Sequence, residues 1–327
     1  SCRATQHSHR GVVSSRMSEL RTVAIVGVGR AGLQHARAAA ALGLEVSAYA
    51  SESANSTRAQ AFVAEFPQAR RLGLDSTELC NAADLVVVAL PPEVTHEVVL
   101  QLMKDCQHLL VEKPLALSTS RIASIAEAAA KSGCRVTVGY NRRVYPAVRR
   151  LREVLATDSP RTAEVTIVED LDFIKRTKGV MAKDSYLRHG ASTHILDLSQ
   201  SLFGRHDPTM VRASLSSINK GFVDYEFDSV GTTGVRIKTT IDAGNRSRRG
   251  IRIRTSGGRV LELSPLERLR VEDTDFDYPE SYTASFREQM QCVIENRVEH
   301  LHGIRDSLTL SKIIDALEVA SEELRHE

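Results

Sequence analysis

The stretch from Thr22 to Gln34, TVAIVGVGRAGLQ, constrains this chain more than any other. Val23, Ala24, Ile25 and Val26 form the short apolar run expected of a strand buried on both faces. Gly27, Gly29 and Gly32 follow in the spacing G-x-G-x-x-G, and an alanine-rich segment of helical composition runs from Leu33 to Leu42. It stops at Gly43, a C-cap residue. A second strand-like run, Glu45 to Ala50, completes a βαβ unit. In that setting one glycine permits the tight turn, one lets a pyrophosphate approach the backbone, and one lets helix and strand pack closely. The helix N-terminus offers free N–H groups and a partial positive charge. The pattern predicts a dinucleotide site built from Gly27, Gly29, Arg30, Ala31 and Gly32.

The alternation of strand and helix continues. Asp84 to Leu90 is a buried-strand run, Thr95 to Cys106 carries apolar residues at helical spacing, and His108 to Val111 is another strand. Ser118 N-caps a helix that stops at Gly133, and Arg135 to Gly139 is a further strand. Such alternation implies a doubly wound parallel sheet, whose ligands bind at the carboxyl ends of the strands. Gly27, Pro91, Glu112 and Lys113 all fall on that edge, so Pro91, Glu112 and Lys113 join the expected cofactor set. At the tip of the second strand, Ser51 and Glu52 meet the adenosine ribose. An acid there accepts hydrogen bonds from the 2′-hydroxyl of NAD, whereas a basic residue favours NADP. Glu52 leans the reading to NAD; Ser51 and Ser53, with Arg30 or Arg58, leave NADP open.

Beyond Asn141 the pattern changes. One helix, Tyr145 to Ala156, leads into period-two strands at Ala163 to Val168, Met210 to Ser216, Gly234 to Ile241 and Gly250 to Thr255. These predict an open, largely antiparallel sheet with one wet face. The arginines from Arg246 to Arg259 are expected to pair with the acids of Glu272 to Asp277, to line a subunit contact, or to bind an anion. Two helices striped by Phe286, Met290, Val293 and Ile294, and by Leu310, Ile313, Ile314, Leu317 and Leu324, close the chain as core. The fold class is thus α/β, an N-terminal Rossmann domain (17–141) followed by an α+β substrate-binding and oligomerisation domain (142–327).

Composition narrows the partners. A formal charge of +2 over 327 residues gives no reason to expect nucleic acid, and no apolar run is long enough for a membrane span. The five cysteines are scattered without a C-x-x-C pair, which predicts neither a zinc site nor a disulfide framework and fits a reducing, cytoplasmic setting. Residues 1–16 hold Arg, Ser and His but no acid; they read as a disordered tail or tag, with a mitochondrial transit peptide as the alternative.

A nicotinamide cofactor moves a hydride, so the protein must handle the proton of the substrate alcohol. Lys113 ends a buried strand on the cofactor edge and is the leading candidate. It works near neutrality only if its pKa falls from about 10.4 to roughly 7 to 8 through desolvation or a nearby cation.

The motifs GVGRAG, ALPPEVTH at 89–96, LLVEKPLAL at 109–117, GYNRR at 139–143 and HGASTHILDLSQSLFG at 189–204 together resemble the glucose–fructose oxidoreductase / inositol dehydrogenase / MocA (Gfo/Idh/MocA) family. The likeness covers nearly everything after Met17. It implies that Lys113 lies beside the nicotinamide ring, that His194 acts as acid or base on the substrate hydroxyl, and that Asp197 is the acid that follows it. It also implies a sugar, cyclitol or sugar-derivative substrate and a homodimer or homotetramer. Tyr140, Arg143 and Lys175 are the remaining candidates for the substrate side, with Asp197; Arg143 equally suits a tie between the two domains. The chain departs from the family at one place: the position four residues before His194 is Gly190 rather than an aspartate, which would share a helix face with the histidine. A cofactor-binding regulator of the same fold, such as the family's galactose-gene repressor, therefore stays open, as does a reductase of a biliverdin-like substrate.

Overall fold

Apolar runs of four to six residues alternate with amphipathic helices through the first 140 residues, and the backbone follows them. The computed structural model describes residues 20–178, 186–190, 192–215, 223–242 and 249–326; the tail at 1–16 lies outside them. In order come β1 (Thr22–Val26), α1 (Arg30–Ala41), β2 (Glu45–Ala50), α2 (Thr57–Glu65), β3 (Arg70–Arg71), α3 (Ser76–Ala82), β4 (Leu85–Val88), α4 (Pro92–Leu102), β5 (His108–Val111), α5 (Thr119–Ser132) and β6 (Arg135–Val138). The α5 signals act as read: the Ser118 hydroxyl accepts from Arg121 N–H, and Gly133 closes the helix at φ 74°. The sequence reading assigns no element between Ser53 and Asp84, yet α2, β3 and α3 lie there. Both helices carry side-chain N-caps, Ser56 accepting from Ala59 and Asp75 from Thr77 and Glu78. One expectation is corrected. Cys80, in α3, and Cys106, beyond α4, form a disulfide with Cα atoms 5.0 Å apart; 26 residues of sequence hid a pairing made by helix packing.

The second half begins with a 3-10 turn (Asn141–Val144), α6 (Pro146–Thr157), β7 (Pro160–Val168), α7 (Leu171–Lys178), α8 (Tyr186–His189) and α9 (Ser192–Phe203). Then follow β8 (His206–Leu215), β9 (Val223–Gly231), β10 (Arg236–Asp242), β11 (Gly250–Thr255), β12 (Val260–Leu263), β13 (Arg268–Val271) and β14 (Thr274–Asp277). The chain ends with α10 (Ser281–Ile294), β15 (His302–Gly303) and α11 (Ile304–His326).

Two sheets result. The first runs β15-β6-β5-β4-β1-β2-β3, with β1 to β6 parallel in the Rossmann order. The second has eight strands, β14-β13-β12-β11-β7-β10-β9-β8. It is antiparallel except where β10 runs alongside β7. In β11, Ile251 and Ile253 are buried while Arg252 and Arg254 face out, as period two requires. Of the arginine cluster, Arg246 and Arg248 lie outside the described residues, and the expected pairing with the acids of Glu272 to Asp277 is replaced by other partners. Arg259 binds Asp158 at 2.9 Å. The acids Asp275 and Asp277 pair with Arg270 and Arg268 across their own hairpin.

The chain also returns to the first domain after leaving it. The short β15 pairs antiparallel with β6, and Phe286 and Met290 of α10 join Val23 and Ile25 in one core cluster. A cut at residue 142 therefore assigns α10 and β15 to the wrong core. Among the described residues no helix is long and apolar enough to cross a membrane.

Candidate active site

The carboxyl edge of the first sheet is aligned by hydrogen bonds that extend past the strands. Gly27 N–H donates to Ala50 O (2.9 Å), Ala89 N–H to Val26 O (2.8 Å), Glu112 N–H to Val88 O (2.8 Å) and Gly139 N–H to Val111 O (2.8 Å). The glycine turn, the Pro91 loop, the Glu112-Lys113 pair and Tyr140 thus stand side by side.

The three glycines of the turn differ in what they are for. Gly27 adopts φ +92°, and a Cβ there would strike the Ala89 carbonyl. A Cβ on Gly32 would strike the Gly27 carbonyl, so this glycine lets α1 approach the turn. Around Gly29 a Cβ would meet nothing within 4 Å. The protein's own packing does not need that glycine, whereas a pyrophosphate lying on the backbone would. Helix α1 starts at Gly29 with no side-chain cap and no acid in its first turn. Its first N–H groups, including those of Arg30 and Ala31, are left for an anion. These residues fit a dinucleotide. The Arg30 guanidinium lies over the Tyr282 ring, 5.4 Å from its centroid. Ser51 and Glu52 sit at the tip beyond β2, and Arg71, which the sequence reading missed, donates to Ser51 O at 3.1 Å.

Glu112 faces inward to α1: His35 Nε2–H donates to its Oε1 at 2.7 Å, and Lys113 N–H donates to its Oε2 at 3.2 Å. His35 is fully buried, so this pair braces the helix that bears the glycine turn. Nothing local to Glu112 pointed to His35, 77 residues earlier in the chain.

Lys113 Nζ donates to the Gly190 carbonyl at 3.1 Å, which ties the sheet edge to the turn before α9. His194, half-buried in the first turns of α9, meets the Tyr140 ring edge-on at 5.4 Å between centroids. Its Nδ1 is enclosed and has no hydrogen-bond partner among the described residues. Burial, then the Arg142 and Lys113 charges, hold the imidazole well below the usual histidine range, so the ring is neutral at pH 7. Tyr140 is buried between two histidines, its ring 4.2 Å from that of His302; burial, then Asp197, pushes its phenol up.

Of the other substrate-side candidates, Arg143 and Asp197 are engaged with each other. Arg143 and Asp197 are 5% and 1% exposed, and Arg143 Nε donates to Asp197 Oδ2 at 2.9 Å. His302 adds a bond to the same carboxylate, and Arg143 Nη1 donates to Leu301 O at 2.7 Å. Asp306 stands 3.2 Å from the same guanidinium, and the cluster locks the 3-10 turn, α9 and the approach to β15 together. Lys175 lies in α7, and its side chain is outside the described residues. Helix α9 begins at Ser192, so position 190 precedes it and the shared helix face with His194 does not exist.

Two further residues were not foreseen. Arg142 has a buried Nη1 without a hydrogen-bond partner, and its charge acts on His194. Glu169, one residue past β7, is 2% exposed and accepts from both the N–H and the hydroxyl of Ser192. Among the described residues no group of His, Cys, Asp and Glu could hold a metal ion.

Residues 21–140 match the family model described as oxidoreductase family, NAD-binding Rossmann fold. Inositol 2-dehydrogenase of Rhizobium meliloti is 24% identical over 216 residues, 63% of this chain and 62% of that protein. Inositol 2-dehydrogenase 2 of Saccharopolyspora erythraea is 30% identical over 190 residues, 56% of this chain and 54% of that protein. The chain therefore matches less than two thirds of the length of these relatives. A solved UDP-N-acetylglucosamine 3-dehydrogenase from Acidithiobacillus ferrooxidans superposes with a TM-score of 0.73 at 20% identity, over 92% of this chain and 97% of that one. An Agrobacterium radiobacter oxidoreductase solved with NAD+, L-tartaric acid and magnesium gives 0.75 at 16% identity, over 93% and 97%. At these identities the superpositions establish the fold.

Proposed function

We propose that this chain, whose residues 21–140 match the oxidoreductase family with an NAD-binding Rossmann fold, belongs to the Gfo/Idh/MocA family and catalyses reversible oxidation of a secondary alcohol to a ketone on a sugar, cyclitol or sugar derivative. The observation that carries the reading is the meeting of Lys113 and His194 across the Gly190 turn, at the carboxyl edge of a sheet whose glycine turn is open for a pyrophosphate. The names of the relatives, two inositol dehydrogenases and a sugar-nucleotide dehydrogenase, support the substrate class.

Gly27, Gly29, Arg30, Ala31 and Gly32 hold the phosphates, Ser51 and Glu52 the adenosine ribose, and Pro91, Glu112 and Lys113 line the way to the ring. When bound, the nicotinamide takes up or releases a hydride. Lys113 has the cation for the other half of the chemistry: its ammonium holds the substrate oxygen and donates a proton as the ketone is reduced. The neutral His194 ring accepts a hydrogen bond from the hydroxyl and orients it, and in oxidation it takes the proton directly or leaves it to the Lys113 amine. Tyr140 packs between the two histidines and excludes water. Glu52 would repel a 2′-phosphate, which favours NAD over NADP.

The experiment mixes purified protein with NADH or NADPH and a panel of keto-sugars and keto-cyclitols, and follows nicotinamide absorbance. Consumption with at least one ketone is expected. Tight nucleotide binding with no turnover across the panel would overturn the enzyme reading in favour of a regulator.

A further inference from the structure

Gly190 is the position at which this chain departs from the family it resembles, and its backbone does not require a glycine, because its φ is not among the positive ones. What the missing side chain makes room for is Glu169. A Cβ built on Gly190 would stand no more than 2.5 Å from each of the three atoms of the Glu169 carboxyl group. An aspartate at 190 would carry its carboxyl carbon one bond, about 1.5 Å, beyond that Cβ. The two acids would thus claim one volume. Glu169 reaches it from the end of β7, its own N–H held by Asp242 O at 3.0 Å and its carboxylate fixed by the Ser192 N–H and hydroxyl at the start of α9. The chain uses the same device at Gly139, where a Cβ would press on the Glu112 carboxylate at 3.1 Å.

We propose that Glu169 is the carboxylate of this active centre, seated from a different element in the place an acid at position 190 would fill, and that it sets the charge state of Lys113. The proposal rests on the oxidoreductase reading for its functional meaning. The link runs through Gly190, whose carbonyl accepts from the Lys113 ammonium and whose Cα abuts the carboxylate. A negative charge so close, shielded from water, favours the ammonium over the amine. The other charged and titratable groups gathered here are Glu112 beside Lys113, Tyr140 between the two histidines, Arg142 on the 3-10 turn and Tyr186 on α8, both of which feel the Glu169 charge, His194 on α9 and His302 on β15. With two cations and two neutral rings, a second carboxylate besides Glu112 keeps the lysine protonated as a proton donor. Glu169 also fixes the first residue of α9, two residues ahead of His194, so it is a positioning residue and touches no substrate itself.

The test compares wild type with Glu169→Gln, Glu169→Ala, Gly190→Asp and the double variant Glu169→Ala/Gly190→Asp. Lys113 is titrated by NMR of the 13C-methylated lysines, its resonance assigned through Lys113→Arg, and the pH profile of kcat/KM is taken alongside. Glu169→Gln should lower the Lys113 midpoint by about one pH unit, tenfold in ammonium population, and move the basic limb of the profile by the same amount. Gly190→Asp alone should unfold at lower temperature, because two acids compete for one seat. The double variant should recover both stability and the Lys113 midpoint. An unmoved midpoint in Glu169→Gln, or a double variant no better than Glu169→Ala, overturns the proposal. The titration needs no turnover: a wild type inert toward every ketone would defeat the oxidoreductase reading while the lysine midpoint still decides on Glu169.

Discussion

Glycine does opposite work at the two ends of the cleft. In the turn after β1, Gly29 leaves a space that nothing among the described residues fills; at the turn before α9, Gly190 leaves a space that the protein fills with its own carboxylate. The phosphate turn of the nucleotide end is made of residues within half a dozen positions of one another, Gly27 to Gly32, joined by backbone geometry. The junction end is made of side chains from the β7 end, the 3-10 turn, α9 and β15, joined by buried charge. A site assembled locally tolerates loss of its ligand contacts without losing its fold, and a site assembled from distant buried charges does not.

The largest effect expected from this contrast is on catalysis. Lys113→Met should lower kcat/KM by about 10² to 10⁴-fold, the share that general acid–base catalysis supplies, while nucleotide binding followed by fluorescence survives. Equal losses in both would mean that Lys113 belongs to the nucleotide end alone. Next is the buried pair. Asp197→Ala leaves the buried Arg143 guanidinium with Asp306, 3.2 Å away and partly exposed, as its remaining carboxylate, and should cost about 3 kcal/mol in denaturant unfolding; a loss under about 1 kcal/mol would place the pair among surface bridges.

Acid should attack the junction side selectively. Burial holds His206 down to about 4, against 6.5 in the unfolded chain. Above pH 6.5 both states leave the ring neutral and nothing changes. Between pH 6.5 and about 4 the unfolded chain takes up a proton that the folded one refuses, so about 3 kcal/mol of stability is lost by pH 4. His194 and His302, also held low by burial first, add to the same slope. The Asp197 carboxylate is held low by Arg143 and His302 against its burial; its contribution is present above the usual carboxylate range and disappears as pH falls through its folded value. Denaturant curves for His206→Asn should show a shallower fall over this window; an unchanged slope would assign the acid sensitivity to the other rings.

Smaller effects separate the glycines. Gly29→Val should leave the melting temperature in place and weaken NADH binding by tenfold or more, about 1.4 kcal/mol. Gly27→Ala should instead destabilise the free protein by about 1–3 kcal/mol, because an L residue is strained at its positive φ. Matching melting curves for the two would erase the distinction. The smallest is Glu52→Ser, expected to shift the ratio of NAD to NADP use toward NADP by up to about tenfold, with Arg71 close enough to Ser51 to profit from the change.

How far the site could be read depended on where each signal was kept. The glycine spacing, the capping pair of Ser118 and Gly133, and the apolar runs of β1, β4 and β5 carry their meaning within a few residues, so the first sheet and its active edge were legible. Arg143 and Asp197 were picked out as candidates by position in a motif, yet their pairing spans 54 residues and turned a ligand-binding expectation into a structural lock. The disulfide between Cys80 and Cys106 and the Glu169–Gly190 seat were hidden for the same reason. Nothing in the one-dimensional pattern tells which distant groups share a volume.

The sequence by itself determined the dinucleotide turn, the parallel sheet that presents Lys113 at its edge, and the change to an antiparallel sheet after residue 160, because period and capping are properties of neighbouring residues. Only the tertiary structure decided that α10 and β15 return to the first domain, that Arg143 and Asp197 neutralise each other, and that a glutamate from β7 fills the space in front of Gly190. Those outcomes depend on excluded volume and on the cost of burying unpaired charge, and both are settled by contacts between residues the chain keeps far apart.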